Sequence, residues 1–593
     1  MIKVAMLSCQ DYGGAGRAAV RLLNGLNRLS DTQADMWVRY RSTEAAHIKQ
    51  VPPVGAYWND IQQKFFATNV FPGHVMMSLM YSGTENEYLP YLTAYDVVHF
   101  HWIANFISAE SMAYLAERGK PLVWTLHDLN PMTGGCHYTY GCEKYRVDCD
   151  HCPQMQENPY NITADMLRLK EKYIPQDLVV VTPSRWLAEC AKSSTIFRRH
   201  RIEVIPYSVD LNIFHQTNRE KAREQWKIEQ GCKVILYCAE QPEQIHKGYH
   251  YFLEMIECLK SNAQWKQWQA QQGIELLVVG ASESASSDLA TAGVPCKYTG
   301  YIRDDNLLAM AYAAADVTVL PSLEDNFPNV MLESLACGTP VVGFAIGGIP
   351  DLVRNGETGF VVPQRDSVAL GEAVVRTLQQ SGWREHCRKV AEQELTEEIQ
   401  AHRYKDLYED ICATRRKSSG QTSRETNFVL PTESQRILGS YFLTELETIY
   451  RLTALQHFTW FMETYEDEII TAGIEGLGEP TQYADGSIAI WGMGGFAHKL
   501  AQGMWQYSTA YRRKLRGFLA NNATEKSFLG HPVLSPDECH SDAIKLIIIG
   551  TIKYENAIYR QLLHDNVSAT KIVCLGSMYW QNMMKKYSDG DAI

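Results

Sequence analysis

Short apolar runs alternate with amphipathic stretches through most of the first 400 residues, and that alternation constrains the fold more than any other feature of the chain. A short apolar run, a stretch of helical period and a further apolar run describe strands joined by crossover helices. Such strands lie parallel, and the sheet is covered on both faces. The pattern predicts strands at Val4–Ser8, Val97–His101, Leu122–Leu126, Leu178–Thr182 and Val204–Pro206, with a helix over Gly16–Leu29. A second series follows at Val234–Cys238, Glu275–Val279, Val317–Leu320, Pro340–Phe344 and Gly359–Val361. Two doubly wound halves with a seam near residues 210–230 satisfy this order. Residues 415–435 have the polar, Ser- and Gly-bearing composition of a linker, and Arg436–Ala472 carries apolar residues at helical spacing. A third βα series starts at Ser487. The expected division is therefore 1–210, 211–413, 414–480 (linker and helices) and 481–593.

Composition narrows the partners. The net charge of −12 argues against nucleic acid, whose phosphates need a basic surface. No run of about 18 apolar residues exists to span a bilayer. The opening run Met1–Leu7 reads as a strand rather than a secretory segment, so the fifteen cysteines are expected to be mostly free thiols in a reducing, cytoplasmic setting.

Several motifs fall where strands give way to helices. Asp11-Tyr12-Gly13-Gly14-Ala15-Gly16-Arg17 follows the first strand, where backbone N–H groups and a helix N-terminus can meet an anion; a plain tight turn is the alternative. His127 and Asp128 end one strand, and His99 and His101 end another, two apart and so on one face of it. A His at such a tip either packs structurally or offers a hydrogen bond to a hydroxyl, with Asp128 to orient it. Cys136, Cys142, Cys149 and Cys152 are spaced C-x5-C-x6-C-x2-C, which suits structural zinc, free thiols or a disulfide. Lys247-Gly248 follows a strand, where a lysine can neutralise a diphosphate or be a solvated turn residue. Asp325 and Glu333 flank seven residues that include Asn326 and Phe327, and Gly347-Gly348 lies downstream. A carboxylate there can accept from vicinal hydroxyls, or can simply begin a helix.

Taken in order, these segments resemble glycosyltransferase family 4, a retaining family of GT-B architecture, over about residues 1–410. The resemblance also rests on Thr182-Pro183-Ser184-Arg185-Trp186 and Val204-Ile205-Pro206-Tyr207-Ser208-Val209-Asp210. It implies an α/β fold of two Rossmann-like domains facing a cleft, with a further Rossmann-like module at the C-terminus. It implies a nucleoside-diphosphate sugar as donor substrate, with Gly14 near the reacting region and His127 on the transferred sugar. Lys247 would hold the diphosphate, Glu333 the ribose and Asp325 the sugar hydroxyls. Asn326 and Phe327 would line the donor site, and Arg17 and His101 the acceptor side. No cofactor is required if the protein supplies the positive charge. The cysteine-bearing segment looks like that of bacterial enzymes building surface or extracellular polysaccharide, so the acceptor would be a saccharide, a lipid-linked sugar or a protein, met in the cytoplasm or at the inner face of the membrane.

Three positions depart from the family pattern. Asp325 stands where Glu is usual, the segment Tyr237-Cys238-Ala239-Glu240 lacks the usual basic residue before Lys247, and Tyr207-Ser208 replaces Asn-Gly. In the C-terminal module, Gly492-Met493-Gly494-Gly495-Phe496-Ala497 follows a strand, but Leu519-Ala520-Asn521-Asn522 lacks the acid that holds a dinucleotide ribose. NAD is therefore not expected there; another nucleotide, a partner or oligomerisation are the remaining roles. Rival readings of the whole chain are a hydrolysing nucleotide-sugar epimerase of the same architecture and a non-catalytic scaffold.

Overall fold

The computed structural model describes residues 1–51, 66–80 except 68 and 76, 88–156, 161–280, 293–418, 479–520 except 494, and 525–549, with scattered positions from 470 to 477 and from 558 to 574. The first sheet contains β1 (Ile2–Gln10), β2 (Thr32–Tyr40), β3 (Ile48–Gln50), β4 (Val97–Phe100), β5 (Leu122–Thr125), β6 (Val179–Thr182) and β7 (Ile202–Val204). Its order is β3-β2-β1-β4-β5-β6-β7, and every pairing is parallel. The second contains β8 (Lys233–Cys238), β9 (Ile274–Val279), β10 (Cys296–Tyr298), β11 (Val317–Leu320), β12 (Val341–Phe344) and β13 (Gly359–Val362), again all parallel, in the order β10-β9-β8-β11-β12-β13. In each, the first strand lies between neighbours wound in opposite directions. The crevice beyond the carboxyl ends of β1 and β8 is thus a topological switch point, where open α/β sheets bind ligands.

Val4, Ala5, Met6 and Leu7 are fully buried, as a strand covered on both faces requires. The helix α1 (Gly13–Arg28) lays Leu22, Leu23 and Leu26 on that sheet. The helix Glu397–Ser418, although it follows the second sheet in sequence, also packs on the first: Ala401, Tyr404, Leu407, Tyr408 and Ile411 share a core with Val4, Met6, Leu22 and Val38.

Differences from the sequence expectation are local. β2, β3 and β10 arise where no strand is expected, and β7 lies earlier than the run Val204–Pro206. A helix runs to Ser418 where linker composition begins at Arg415. The rest of that linker, most of the helical stretch Arg436–Ala472, and Gly494, Asn521 and Asn522 lie outside the described residues. No helix among the described residues is long and apolar enough to cross a membrane.

The chain folds into two compact units, Met1–Pro53 with Phe66–Thr426, and Val54–Phe65 with Asn427–Ile593. The second contains a six-stranded sheet built from Ile488–Trp491, Leu515–Leu519, Ser527–Phe528, His531–Leu534, Leu546–Ile549 and Ile572–Cys574. Its pairings are parallel except that between Ser527–Phe528 and His531–Leu534. The helix Gly495–Tyr507 follows its first strand.

Candidate active site

The glycine loop and α1 bring two arginines to the cleft between the two sheets. Arg17 and Arg21 are one helical turn apart and so share a face. Arg21 is buried, and its guanidinium donates to Glu333 Oε1 at 2.7 Å, Asn329 Oδ1 at 3.3 Å and the Ser208 carbonyl at 3.4 Å. Arg17 pairs with Asp305 and lies 3.6 Å from Glu333. Gly14 contributes its carbonyl, which accepts from Asn329 Nδ2 at 3.0 Å.

The second half supplies the facing charges. Lys247 Nζ lies 2.8 Å from Asp325 Oδ2, joining two residues 78 positions apart. The backbone needs glycine at two places to arrange this. Gly248 has φ +66, and a Cβ there would fall 1.8 Å from the Pro321 carbonyl; at Gly347, with φ +53, it would fall 1.6 Å from that of Asp325. Glu333, on the helix Asn329–Ala336, is 2% exposed, and its Oε2 accepts from Tyr312 at 3.0 Å. Both of its oxygens therefore already have a protein partner, though each keeps lone-pair capacity for a further donor.

His127 shares hydrogen bonds through both ring nitrogens, with His101 Nδ1 at 3.1 Å and the Tyr207 hydroxyl at 2.7 Å. Asp128 does not orient it. Successive residues of an extended chain face opposite ways, and the Asp128 carboxylate instead accepts from Trp102 and the Asn130 N–H and meets His137 Nδ1 at 2.6 Å. Burial opposes the ionisation of Asp128, but His137 and these hydrogen bonds outweigh it and hold the carboxyl below its ordinary range. Burial also lowers the His127 pKa to about 4, against the pull of Asp128. His99 lies deeper, fully buried between Thr125 at 2.8 Å and Tyr408 at 2.7 Å. His99 is thus a core residue, one ring away from His101.

Asn326 and Phe327 are both buried. Asn326 Oδ1 accepts from Ser184 at 2.7 Å, and Nδ2 donates to the His127 and Leu126 carbonyls at 3.0 and 3.3 Å. Phe327 sits edge-on to Tyr207. The partners of these two side chains are thus groups of the first half. Glu324, which precedes the acidic pair, is buried and accepts from the N–H groups of Thr139 and Tyr140. Burial pushes its carboxyl up from the ordinary value, while these N–H bonds oppose that.

The four clustered cysteines line one small cavity of about 20 Å³ together with Thr133, Gly134 and Lys144. The expectation of structural zinc is not supported: among the described residues no group of three or more His, Cys, Asp and Glu is placed to hold a metal ion. Burial pushes the Cys136 and Cys152 thiols above their ordinary value and raises Cys149 to about 11, and the Cys149 sulfur accepts from the Gly134 N–H at 3.3 Å. Below them Lys170 is buried and donates to the Asn130 and Thr133 carbonyls at 2.6 and 2.8 Å.

Sequence reasoning brought Gly14, Arg17, Lys247, Asp325 and Glu333 to the cleft but missed Arg21, Glu324, Tyr312 and Asn329. Arg21 carried a usable signal, its i, i+4 spacing from Arg17; Tyr312 carried none.

Residues 12–213 match the family described as Glycosyltransferase Family 4, and residues 232–380 match Glycosyl transferases group 1; together the two models span more than half of the chain. A D-inositol 3-phosphate glycosyltransferase of Geodermatophilus obscurus is 26% identical over 294 residues, 47% of this chain. The chain spans 58% of that relative's length. The protein of the same name from Streptosporangium roseum is 25% identical over 403 residues, 63% of this chain and 82% of that one. Among solved structures, sucrose-phosphate synthase from Thermosynechococcus elongatus superposes with a TM-score of 0.51 at 20% identity, covering 70% of this chain and all of that one, which supports the two-domain fold. The switch-point cleft and the two matched halves agree, and the chain belongs to the family 4 glycosyltransferases of GT-B fold.

Proposed function

We propose that the chain transfers a sugar from a nucleoside-diphosphate sugar to an acceptor hydroxyl, with retention of configuration. What carries this reading is the Lys247–Asp325 ion pair, which joins the segments that follow the neighbouring strands β8 and β11 at the switch point of the second half. A diphosphate arriving between them offers Lys247 a stronger anion than Asp325. The freed Asp325 carboxylate can then accept from hydroxyls of the sugar. Glu333 accepts from the ribose in exchange for one of its present partners. As the diphosphate leaves, Lys247 and the N-terminal turn of α1 stabilise its charge. His127 meets the transferred sugar as a neutral ring, a sugar hydroxyl replacing that of Tyr207 at Nδ1. Arg17 and His101 stand toward the acceptor, and closure of the halves excludes water while the acceptor is aligned.

Retention, and a place in surface or extracellular polysaccharide synthesis, rest on the family likeness and on the cysteine-bearing segment. The test is a panel of nucleotide sugars, read by thermal shift and then by nucleoside-diphosphate release with and without acceptor. A donor that raises the melting temperature and is turned over only with acceptor is expected. Conversion of the sugar without any acceptor would instead identify an epimerase, and silence across the panel a scaffold.

A further inference from the structure

Lys247 and Asp325 sit on two separate loops of the second half, and each is pinned one residue upstream by the same short stretch of the first half. Glu324 directly precedes Asp325. Its carboxylate accepts from Thr139 N at 2.8 Å, Tyr140 N at 2.7 Å and the Thr139 hydroxyl at 3.3 Å. His246 directly precedes Lys247. Its ring stacks on Tyr138, with centroids 3.9 Å apart and planes 20° from parallel. The two loops are tied to each other as well, since Leu323 N donates to the His246 carbonyl at 2.7 Å. A further link runs alongside: Ile245 N donates to the Gly73 carbonyl at 3.2 Å, and the neighbouring His74 ring stacks on Tyr140 at 4.1 Å.

We propose that residues 138–140, part of the cysteine-bearing segment, position the Lys247–Asp325 pair for the donor, and that Glu324 is the residue that locks them in place. The inference rests on the donor reading given above and assigns this segment a role within it. A buried carboxylate facing two backbone N–H groups is a strong and directional lock, since each bond is charge-assisted and the Thr139 bond is buried away from water. Held at 324 and at 246, the next residue on each loop has little freedom. A displacement of about 1 Å in a binding group is enough to lose much of what orientation contributes. Residues 138–140 belong to the opposite half from Lys247 and Asp325, so the pair is correctly placed only while the halves are together. Glu324 is therefore a positioning residue: it acts through Asp325 and its neighbours rather than by touching the donor.

The experiment compares the full chain with Glu324→Gln, Tyr138→Phe and Tyr138→Ala. The probes are UDP-glucose, UDP-N-acetylglucosamine and GDP-mannose, each set against UMP or GMP. A monophosphate lacks the second phosphate and the sugar, and so does not report on the Lys247–Asp325 pair. Glu324→Gln presents an NH2 group to one of two N–H donors. It should weaken the nucleotide sugar that the wild type binds by about tenfold or more, leaving the matching monophosphate within about twofold. Tyr138→Ala should behave similarly, and Tyr138→Phe, which keeps the stack, should resemble the wild type. Unchanged affinity for the nucleotide sugar in Glu324→Gln overturns the proposal, as does an equal loss of both ligands, which marks a general structural role. A wild type that binds none of the probes overturns the donor reading and this inference with it. Amide hydrogen exchange separates the two without any ligand: Thr139 and Tyr140 should both be protected in the wild type, and the one left facing the NH2 group should be released in Glu324→Gln. Fast exchange of both in the wild type removes the lock while leaving the donor reading standing.

Discussion

At the scale of single residues, the cleft is a set of charges already paired with one another, so its chemistry is exchange of partners. Glu333→Gln keeps the shape but loses the charge that holds Arg21 and would accept ribose hydroxyls. Donor affinity should fall about tenfold, about 1.4 kcal/mol, and unchanged kinetics at limiting donor would remove Glu333 from the site. Lys247→Ala should cost more than Lys247→Arg, because charge at the diphosphate is the point; full activity in both would place that charge elsewhere. The three histidines give a pH signature. Burial holds His99 and His101 well below the ordinary value of 6.5 and His127 at about 4, so the fold keeps all three rings neutral. Between pH 6.5 and 4 the unfolded chain binds protons that the folded one refuses, so stability is full above 6.5 and falls as the pH drops through that window. Urea midpoints measured across this range test it, and a flat profile would contradict it. What sequence could reveal here follows from separation along the chain. His99 and His101 declare their shared face by being two apart, whereas Arg21 and Glu333 are 312 residues apart and nothing local to either announces the pair.

At the scale of elements, the runs that are apolar throughout were legible and the mixed ones were not. Val317–Leu320 is a strand with the bounds its composition predicts, because a central parallel strand buries both faces. Thr32–Tyr40 escapes the same reading because it carries Asp35 and Arg39. Both are buried, Asp35 against Lys49 and Tyr95, and Arg39 with one N–H on the Asn105 carbonyl. Such partners come from other elements and leave no trace in the strand itself. The helix Glu397–Ser418 shows the same limit: nothing in its own sequence names the sheet it covers. Tyr408 is fully buried there, with its hydroxyl 2.7 Å from His99. Tyr408→Ala should therefore destabilise the protein by about 3–5 kcal/mol, as aromatic-to-Ala changes in a core do. Chemical denaturation gives the number, and a loss below about 1 kcal/mol would mean that the helix is dispensable to the first half.

At the scale of the whole molecule, every group assigned to the donor lies before residue 352, within the unit that ends at Thr426. The chain cut after residue 426 should therefore keep its donor affinity, measured alongside its melting temperature. Aggregation or loss of donor binding in the shortened chain would make residues 427–593 integral to the catalytic unit, and loss of acceptor use alone would assign them to the acceptor. The path of the chain within that first unit has a consequence for its synthesis. The first sheet is complete by Val204, yet its core includes Tyr404, Tyr408 and Ile411. A ribosome must therefore release the whole second half before the first can be finished, so the domain begun first during translation closes only after its neighbour has emerged, and its unfinished face is the surface a nascent-chain chaperone would meet.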